Sequence, residues 1–172
     1  MERRAKSLKP IDMKRHQLHS LANILGAVHD LGEDQLQFVL HLVHLVKTSM
    51  PTREHSVTAL ALRLGLGEQT FRRRVHRATG KSPKQLILAI QMHEASRLLL
   101  EDPHIMIRDV ALSCGFEETS FFSHAFKKWS GMSPMHFREN RQSCRFYNEV
   151  INDKSVAVDY KFEKISDDTA RI

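Results

Sequence analysis

The sequence has little of what extracellular and membrane proteins depend on. Its two cysteines, Cys114 and Cys144, are far apart and form no Cys-x-x-Cys pair, so neither a disulfide framework nor a zinc knuckle is expected. No apolar run approaches the roughly 18 residues of a membrane span. The basic N-terminus is not followed by the apolar core of a signal peptide. We therefore expect a cytoplasmic protein that does not associate with membranes.

The residue patterns of common enzymes and metal sites are also missing. No Ser/His/Asp arrangement, glycine-rich phosphate loop or pair of carboxylates stands out, so we expect no catalytic residue and no cofactor. Among the 11 histidines, His16-x-x-His19 and His41-x-x-His44 have the spacing that puts each pair on one helix face. No third ligand is evident beside either pair, so surface histidines are expected here and a metal site is not.

Positive charge is present in excess and is unevenly distributed. The chain of 172 residues has 26 Lys and Arg against 20 Asp and Glu, a formal net charge of +6. Residues 51–148 hold fifteen basic and nine acidic residues, whereas residues 1–50 hold seven and five, and residues 149–172 hold four and six. The central part of the chain therefore has the charge that a polyanionic partner would require.

An internal repeat occupies this basic central part. The first copy contains Leu60-Ala61, Gly65, Phe71, Val75 and Gly80-Lys-Ser-Pro83, and the second contains Val110-Ala111, Gly115, Phe122, Phe126 and Gly131-Met-Ser-Pro134. The offset is 50 up to the first glycine and 51 after it, so the second copy has one extra residue just past the turn. Each copy has the outline of a helix-turn-helix unit. The alternative is a repeated helical hairpin that does not bind DNA, which the basic composition disfavours.

The spacing of apolar residues predicts an all-α fold. Steps of three and four residues, with serine and proline at several helix starts, predict a series of helices, of which the one that follows Ser82 is the longest. The expected helices are 33–48, 56–64, 68–79, 83–100, 107–113, 118–130 and a short one from 134. Gly65 and Gly115 are expected at the sharp turns because glycine tolerates a left-handed backbone. Cys114 is expected to be a small buried residue.

The two ends of the chain differ from this central domain, which we place at residues 33–140. Residues 1–32 form a basic segment whose apolar positions from residue 16 onward predict a docked helix or, alternatively, part of a linker. In the tail, residues 141–172, apolar and polar residues alternate from Val156 to Phe162 after the turn-like Asn152-Asp153. This alternation predicts a β-hairpin. An isolated hairpin is only marginally stable, so a disordered tail is the alternative.

The second helix of each unit carries the residues expected to contact DNA. Phe71, Val75 and Ala78 in the first unit, and Phe122, Phe126 and Trp129 in the second, share one face and are expected in the core. The opposite faces and their flanks are polar and basic. The candidate DNA-binding residues on them are Gln69, Arg72, Arg73, His76 and Arg77 in the first unit, and Ser120, Phe121, His124, Lys127 and Lys128 in the second.

Within this set, base and phosphate contacts can be separated by position. Recognition helices read base edges with their N-terminal half, and arginine and glutamine pair bidentately with guanine and adenine. Gln69, Arg72 and Arg73 are therefore the base-reading candidates of the first unit, and Ser120, Phe121 and His124 those of the second. The later basic residues suit phosphate contacts. The Gly-x-Ser-Pro element after each unit provides a helix N-terminus, which could hold a phosphate or serve as a plain cap.

The second repeat also has a more specific pattern. Ile107-x-x-Val110-Ala111-x-x-x-Gly115-Phe116 is followed by Ser120-Phe121-Phe122-Ser123-x-x-Phe126-Lys127-Lys128-x-x-Gly131-x-Ser133-Pro134-x-x-Phe137-Arg138. This run resembles the signature of the AraC/XylS family of bacterial transcription regulators, and the resemblance covers roughly residues 36–140. The first recognition helix is similar to those in the output domains of bacterial hybrid two-component regulators of the same family. The chain departs from the family at His124 and Gln91, where arginine is frequent.

The resemblance implies a seven-helix domain in which a long central helix joins two helix-turn-helix units. It also implies a sequence-specific regulator that places two recognition helices in adjacent major grooves of double-stranded DNA. It further implies activation through contact with RNA polymerase. Separately from the resemblance, we expect a second copy of the chain or a sensor domain as a further partner. The alternative function is a protein-binding module on the same fold, such as an antagonist that pairs with another regulator. The sequence determines neither the operator nor the effector.

Overall fold

The helices follow one another with short connections in the computed structural model, which describes residues 32–140. We number them α1 to α7: α1 Glu33–Ser49, α2 Val57–Arg63, α3 Glu68–Thr79, α4 Pro83–Glu101, α5 Ile107–Ser113, α6 Thr119–Ser130 and α7 Pro134–Glu139. The described range thus contains the seven helices that the sequence predicts and no strand, which confirms the all-α class. The predicted N-terminal helix and C-terminal hairpin lie outside the described residues.

Local sequence determines where most of these helices begin. The side chain of Ser82 accepts a hydrogen bond from the backbone N–H of Gln85, and the Gln85 side chain accepts one from the backbone N–H of Ser82, a reciprocal capping box at the start of α4. Ser56 and Ser133 cap α2 and α7 through the N–H groups of Ala59 and His136. Because these caps are readable in sequence, the predicted boundaries lie within about two residues of the observed ones.

Two hydrophobic cores lie along the chain, and α4 belongs to both. The first core joins α1, α2, α3 and the N-terminal half of α4, with fully buried Phe38, Phe71 and Leu86 among its residues. The second joins the C-terminal half of α4 to α5, α6 and α7, and Phe122 and Phe126 are fully buried in it. Each helix-turn-helix unit therefore has its own core, and the central helix is the shared scaffold.

The repeat of the sequence is a repeat of structure. Gly65 and Gly115 lie at the second position of the turns after α2 and α5, with φ of +67° and +84°, the left-handed backbone expected for them. Four residues, 64–67, separate α2 from α3, whereas five residues, 114–118, separate α5 from α6. The extra residue of the second copy is thus accommodated in the turn, and both recognition helices keep a length of 12 residues.

An ion-pair network on the outside of α4 links it to α1. The Glu94 carboxylate lies 3.1 Å from Lys47 Nζ of α1 and accepts a hydrogen bond from Arg97, which also pairs with Glu101. Burial alone would raise the pKa of Glu94, but the hydrogen bond from Arg97 and the charge of Lys47 outweigh burial and hold this pKa below its usual value.

Between residues 32 and 140, no helix is long and apolar enough to cross a membrane.

Candidate nucleic-acid interface

The recognition helix of the first unit, α3, presents one face to the core and the other to solvent. Phe71, Val75 and Ala78 are buried, as the sequence predicts. All five candidate contacts of this unit are exposed: Gln69, Arg72, Arg73, His76 and Arg77. Helical geometry therefore gathers these candidates on the outer side of one rigid helix that is anchored from behind.

Three consecutive arginines on α3 have three different environments. Arg72 Nε donates to Glu68 Oε1 over 3.0 Å, an i,i+4 pair along the helix. Glu68 also accepts a hydrogen bond from the Thr58 hydroxyl of α2 over 2.8 Å. The hydrogen bonds from Arg72 and Thr58 lower the pKa of Glu68. Arg72 is thus held at the N-terminal turn of α3, where a recognition helix contacts base edges.

Arg73 differs from Arg72 in being available for a partner. Among the described residues, the side chains of Gln69, Arg73, His76 and Arg77 have no hydrogen-bond or ion-pair partner. An exposed guanidinium without an internal partner can form two parallel hydrogen bonds to a base edge or a phosphate. Arg73 and Arg77 are therefore the two guanidinium groups among these candidates that are available for such hydrogen bonds.

Arg74 packs back onto the protein. Its guanidinium carbon lies 4.2 Å from the centre of the Phe38 ring of α1. A cation over an aromatic face is attracted by the ring quadrupole. Arg74 therefore stabilises the packing of α3 on α1, a role that sequence patterns do not indicate.

The recognition helix of the second unit, α6, is less basic and more aromatic. Phe122 and Phe126 are buried as expected, whereas Trp129 is only partly buried and packs edge-on against His93. The five candidate contacts are all exposed: Ser120, Phe121, His124, Lys127 and Lys128.

The N-terminal candidates of α6 are positioned by the turn before the helix. Phe121 is 58% exposed, and its ring centroid lies 6.1 Å from that of Phe116. The Ser120 hydroxyl donates to Glu118 Oε2 over 3.3 Å. Among the described residues, His124, Lys127 and Lys128 have no polar partner. A ring that is exposed and supported from below suits contact with an apolar group such as a thymine methyl.

The two units can be compared position by position through the repeat. With the offset of 51, His124 of α6 occupies the register of Arg73 in α3, and Lys127 and Lys128 occupy those of His76 and Arg77. Helix α3 has four arginines and one glutamate, whereas α6 has two lysines and no acidic residue. The first unit therefore presents the stronger positive potential and the more hydrogen-bond donors.

Other residues that the sequence analysis considered as possible sites have structural roles instead. Ser82 and Ser133 are engaged as helix caps, so capping accounts for both Gly-x-Ser-Pro elements. Cys114 is buried, and desolvation raises the pKa of its thiol to about 12. Within the described part of the chain, no group of three or more His, Cys, Asp or Glu residues is arranged to hold a metal ion. His16 and His19 lie outside this part.

Sequence reasoning missed three contributors to the arrangement of the site. The Glu68–Arg72 pair had a readable signal, because oppositely charged residues four apart meet on a helix. The stacking of Arg74 on Phe38 had none, because the two residues are distant in sequence. The departure at Gln91 was visible, but its hydrogen bond to the Cys114 carbonyl, over 2.8 Å, depends on the packing of α4 against the second turn.

The chain is similar to known proteins that contain helix-turn-helix domains. A family model described as a helix-turn-helix domain matches residues 60–140. The Msm operon regulatory protein of Streptococcus mutans is 34% identical over 87 residues, which cover 51% of this chain and 31% of that protein. The HTH-type transcriptional activator RhaR of Salmonella schwarzengrund is 25% identical over 112 residues, covering 65% and 39%. The chain therefore spans about a third of the length of these relatives.

A solved structure has the same arrangement of helices. It is the crystal structure of the DNA-binding domain of AdpA, a global transcriptional factor, in complex with a target DNA. The likeness has a TM-score of 0.51 and 27% sequence identity, and it covers 60% of this chain and 95% of that one. The fold described above is thus found in a domain that has been crystallised on DNA.

Proposed function

We propose that the protein is a sequence-specific double-stranded DNA-binding transcription regulator of the AraC type, whose helix-turn-helix domain includes residues 60–140. The observation that carries the proposal is the repeated geometry of α3 and α6. Each helix has one face buried in its own core and an exposed polar face, on which Arg77 of α3 and Lys128 of α6 are cations at equivalent positions. Each exposed face can enter a major groove, and the shared α4 ties the two together.

The contacts divide by chemistry. Gln69, Arg72 and Arg73 read bases in the first groove, and Arg77 contacts a phosphate. In the second groove Ser120, Phe121 and His124 lie against bases, while Lys127 and Lys128 hold phosphates. His76 lies beside the first set. Their common exposure and the absence of described polar partners for most of them support this assignment.

The proposal also includes the effect on transcription, the partners and the cellular location of the protein. The name of RhaR describes a transcriptional activator, which supports activation as the output of this chain as well. In this proposal RNA polymerase is a partner, a second copy or a sensor domain brings the signal, and the protein acts in the cytoplasm of a bacterium. The DNA-binding domain spans residues 33–140, with residues 1–32 and 141–172 as flanking segments.

Selection of bound sites from a random DNA pool tests the proposal and defines the operator. We expect an enriched site with two conserved blocks about one helical turn apart, roughly 10–10.5 base pairs between their centres. Binding to the selected site should weaken with salt by about 0.9 log units of affinity per log unit of salt for each neutralised phosphate, giving a slope of a few units. An unenriched pool together with a flat salt response between 50 and 200 mM would refute the proposal.

The protein-binding alternative predicts a different outcome. It requires tight binding to a partner protein without any shift of DNA mobility, and none of the relatives or structures described above supports it. The relatives described above are regulators by name rather than enzymes, in agreement with the expectation that the chain is not an enzyme.

A further inference from the structure

Gln91 lies where the two cores meet. Its neighbour Ile90 belongs to the first core and its neighbour Met92 to the second, and both are fully buried. The Gln91 residue is itself buried, with 6% exposure, in the middle of the 19-residue helix α4. A buried amide is costly unless it is hydrogen-bonded, so its contacts define what this position does.

The Gln91 amide bridges the two helix-turn-helix units. Its Nε2 donates to the carbonyl oxygen of Cys114, in the turn of the second unit, over 2.8 Å. The same nitrogen lies 3.2 Å from Nε2 of His55, which immediately precedes the cap of α2 in the first unit. An amide nitrogen only donates, so His55 Nε2 must accept. The proton is then on His55 Nδ1, which lies 3.4 Å from the carbonyl oxygen of Ser49, and the ring is neutral.

Close packing reinforces the same contact. A Cβ atom at Gly115 would lie 2.5 Å from His55 Cε1 and 3.0 Å from the carbonyl oxygen of Met50. The turn of the second unit therefore packs directly against the His55 ring. Beside it, Arg53 Nη1 donates to Glu117 Oε1 over 2.8 Å. Links of three kinds thus cross between residues 49–55 and residues 114–117.

We propose that the His55–Gln91–Cys114 joint sets the angle and distance between α3 and α6, and thereby the spacing between the two DNA blocks that the protein accepts. The specificity part of this inference rests on the proposed function. Helix α4 alone fixes the positions of the two units along its axis. The joint adds a direct contact between the two units away from this axis, and both His55 and Gln91 are positioning residues.

The joint depends on protonation because only a neutral His55 can accept from Gln91. Protonation would place an N–H against the amide N–H and break this contact. Other charged groups face the same region. Glu68 and Arg72 of α3 and Lys84 of α4 line one depression with His55, and the Arg53–Glu117 pair lies nearby. We expect the two units to be rigidly oriented at pH 7.5 and less so once the His55 ring is protonated.

The first test uses the free protein and needs no DNA. Residual dipolar couplings should fit one alignment tensor for both units in the wild type at pH 7.5, and ring nitrogen-15 shifts should show the His55 proton on Nδ1. Gln91→Met retains the length of the side chain but removes its donors, and should need separate tensors. The Glu101→Gln variant, on the exposed end of α4, is the matched control and should behave as wild type. A proton on Nε2, or one shared tensor in Gln91→Met, overturns the joint.

The second test measures spacing on DNA. Selected sites with one base pair added or removed between the blocks should bind wild type at least about tenfold more weakly, a difference of about one log unit in Kd. For Gln91→Met the same penalty should fall to about threefold or less, with an unchanged salt slope. An unchanged penalty in a folded Gln91→Met overturns the specificity part. Absence of DNA binding by wild type would instead refute the proposed function and leave the first test to decide the joint.

A third arm remains informative if Gln91→Met does not fold. Lowering the pH of the wild-type protein until the nitrogen-15 shifts show a protonated His55 ring should relax the spacing penalty and the shared tensor without any substitution. The His55→Asn variant has no titrating ring and should lose this pH effect. A pH effect that persists in His55→Asn, or none in wild type although the His55 ring is seen to titrate, overturns the dependence on His55.

Discussion

The guanidinium carbon of Arg74 lies 4.2 Å from the centre of the Phe38 ring, whereas the adjacent Arg73 has no polar partner among the described residues. One step along α3 thus separates an arginine that supports the fold from one that is available to a ligand. Arg72 also has an internal partner, because it forms an ion pair with Glu68. The three consecutive arginines therefore cannot be treated as one basic patch.

This difference predicts that two neighbouring substitutions differ in their effect on stability. Arg74→Ala should lower the free energy of unfolding by about 0.5–1 kcal/mol through loss of the cation–π contact at an exposed site. Arg73→Ala should leave this free energy unchanged. Urea unfolding of both variants measures it, and equal stabilities would show that the Arg74 contact contributes nothing.

Base and phosphate roles predict a second contrast on α3. Arg73→Ala should cost about 1–3 kcal/mol of binding free energy and relax selectivity at one base position. Arg77→Ala should weaken binding to all sequences alike and reduce the salt slope by about 1. Binding titrations against the selected site and its single-base variants distinguish the two. If both variants lose affinity and selectivity in the same way, the division of roles is wrong.

The shared register of Arg73 and His124 predicts that the second unit can be strengthened. Arginine is charged at every working pH and forms bidentate hydrogen bonds that histidine cannot form. His124→Arg should therefore raise DNA affinity and steepen the salt dependence, and the reciprocal Arg73→His should lower both. Gel-shift titrations at pH 7.5 give the measurement. An unchanged site preference and affinity in both His124→Arg and His124→Ala would place His124 away from the DNA.

The two turn glycines provide a matched pair for testing packing. Both have positive φ, so alanine at Gly65 should cost about 1–2 kcal/mol of stability from backbone strain alone. A Cβ at Gly115 would also overlap His55, whereas one at Gly65 would meet nothing within 4 Å. Gly115→Ala should therefore cost about 1–3 kcal/mol more than Gly65→Ala, the range seen for overpacking. Equal thermal stabilities would mean that His55 moves aside without cost.

The buried thiol of Cys114 predicts a loss of stability at alkaline pH. Its pKa is about 12 in the folded protein, whereas an unfolded cysteine titrates near pH 8.5. Below that lower value the thiol is protonated in both states, and its contribution is fully present. As pH rises above 8.5 the unfolded state gives up its proton first, so the free energy of unfolding falls. Unfolding in urea at pH 8, 9 and 10 measures this fall.

Two variants isolate the contribution of this thiol from other alkaline titrations. In a Cys144→Ser background, Cys114→Ala should show a shallower decline of stability with pH than the parent. In the same background the folded parent should react slowly with a thiol reagent at pH 8. Rapid labelling without unfolding would contradict the burial of Cys114.

The sequence by itself determined the elements of this protein and their repetition. The helices closely follow three kinds of local signal. These are the caps at Ser56, Ser82 and Ser133, apolar positions three and four residues apart, and glycines with left-handed backbone. The same local rule separated the buried face of α3 and α6 from the exposed one. The extra residue of the second repeat was also readable, and it is found in the turn.

Only the tertiary structure decided how these elements engage one another. Arg74 on Phe38, Lys47 with Glu94, and Gln91 between His55 and Cys114 each join residues far apart in sequence. Spacing along one helix carries no information on such pairs, because they depend on how separate helices pack. The relative placement of the two recognition helices is of this kind: it follows from two cores on one central helix and from the buried amide between them.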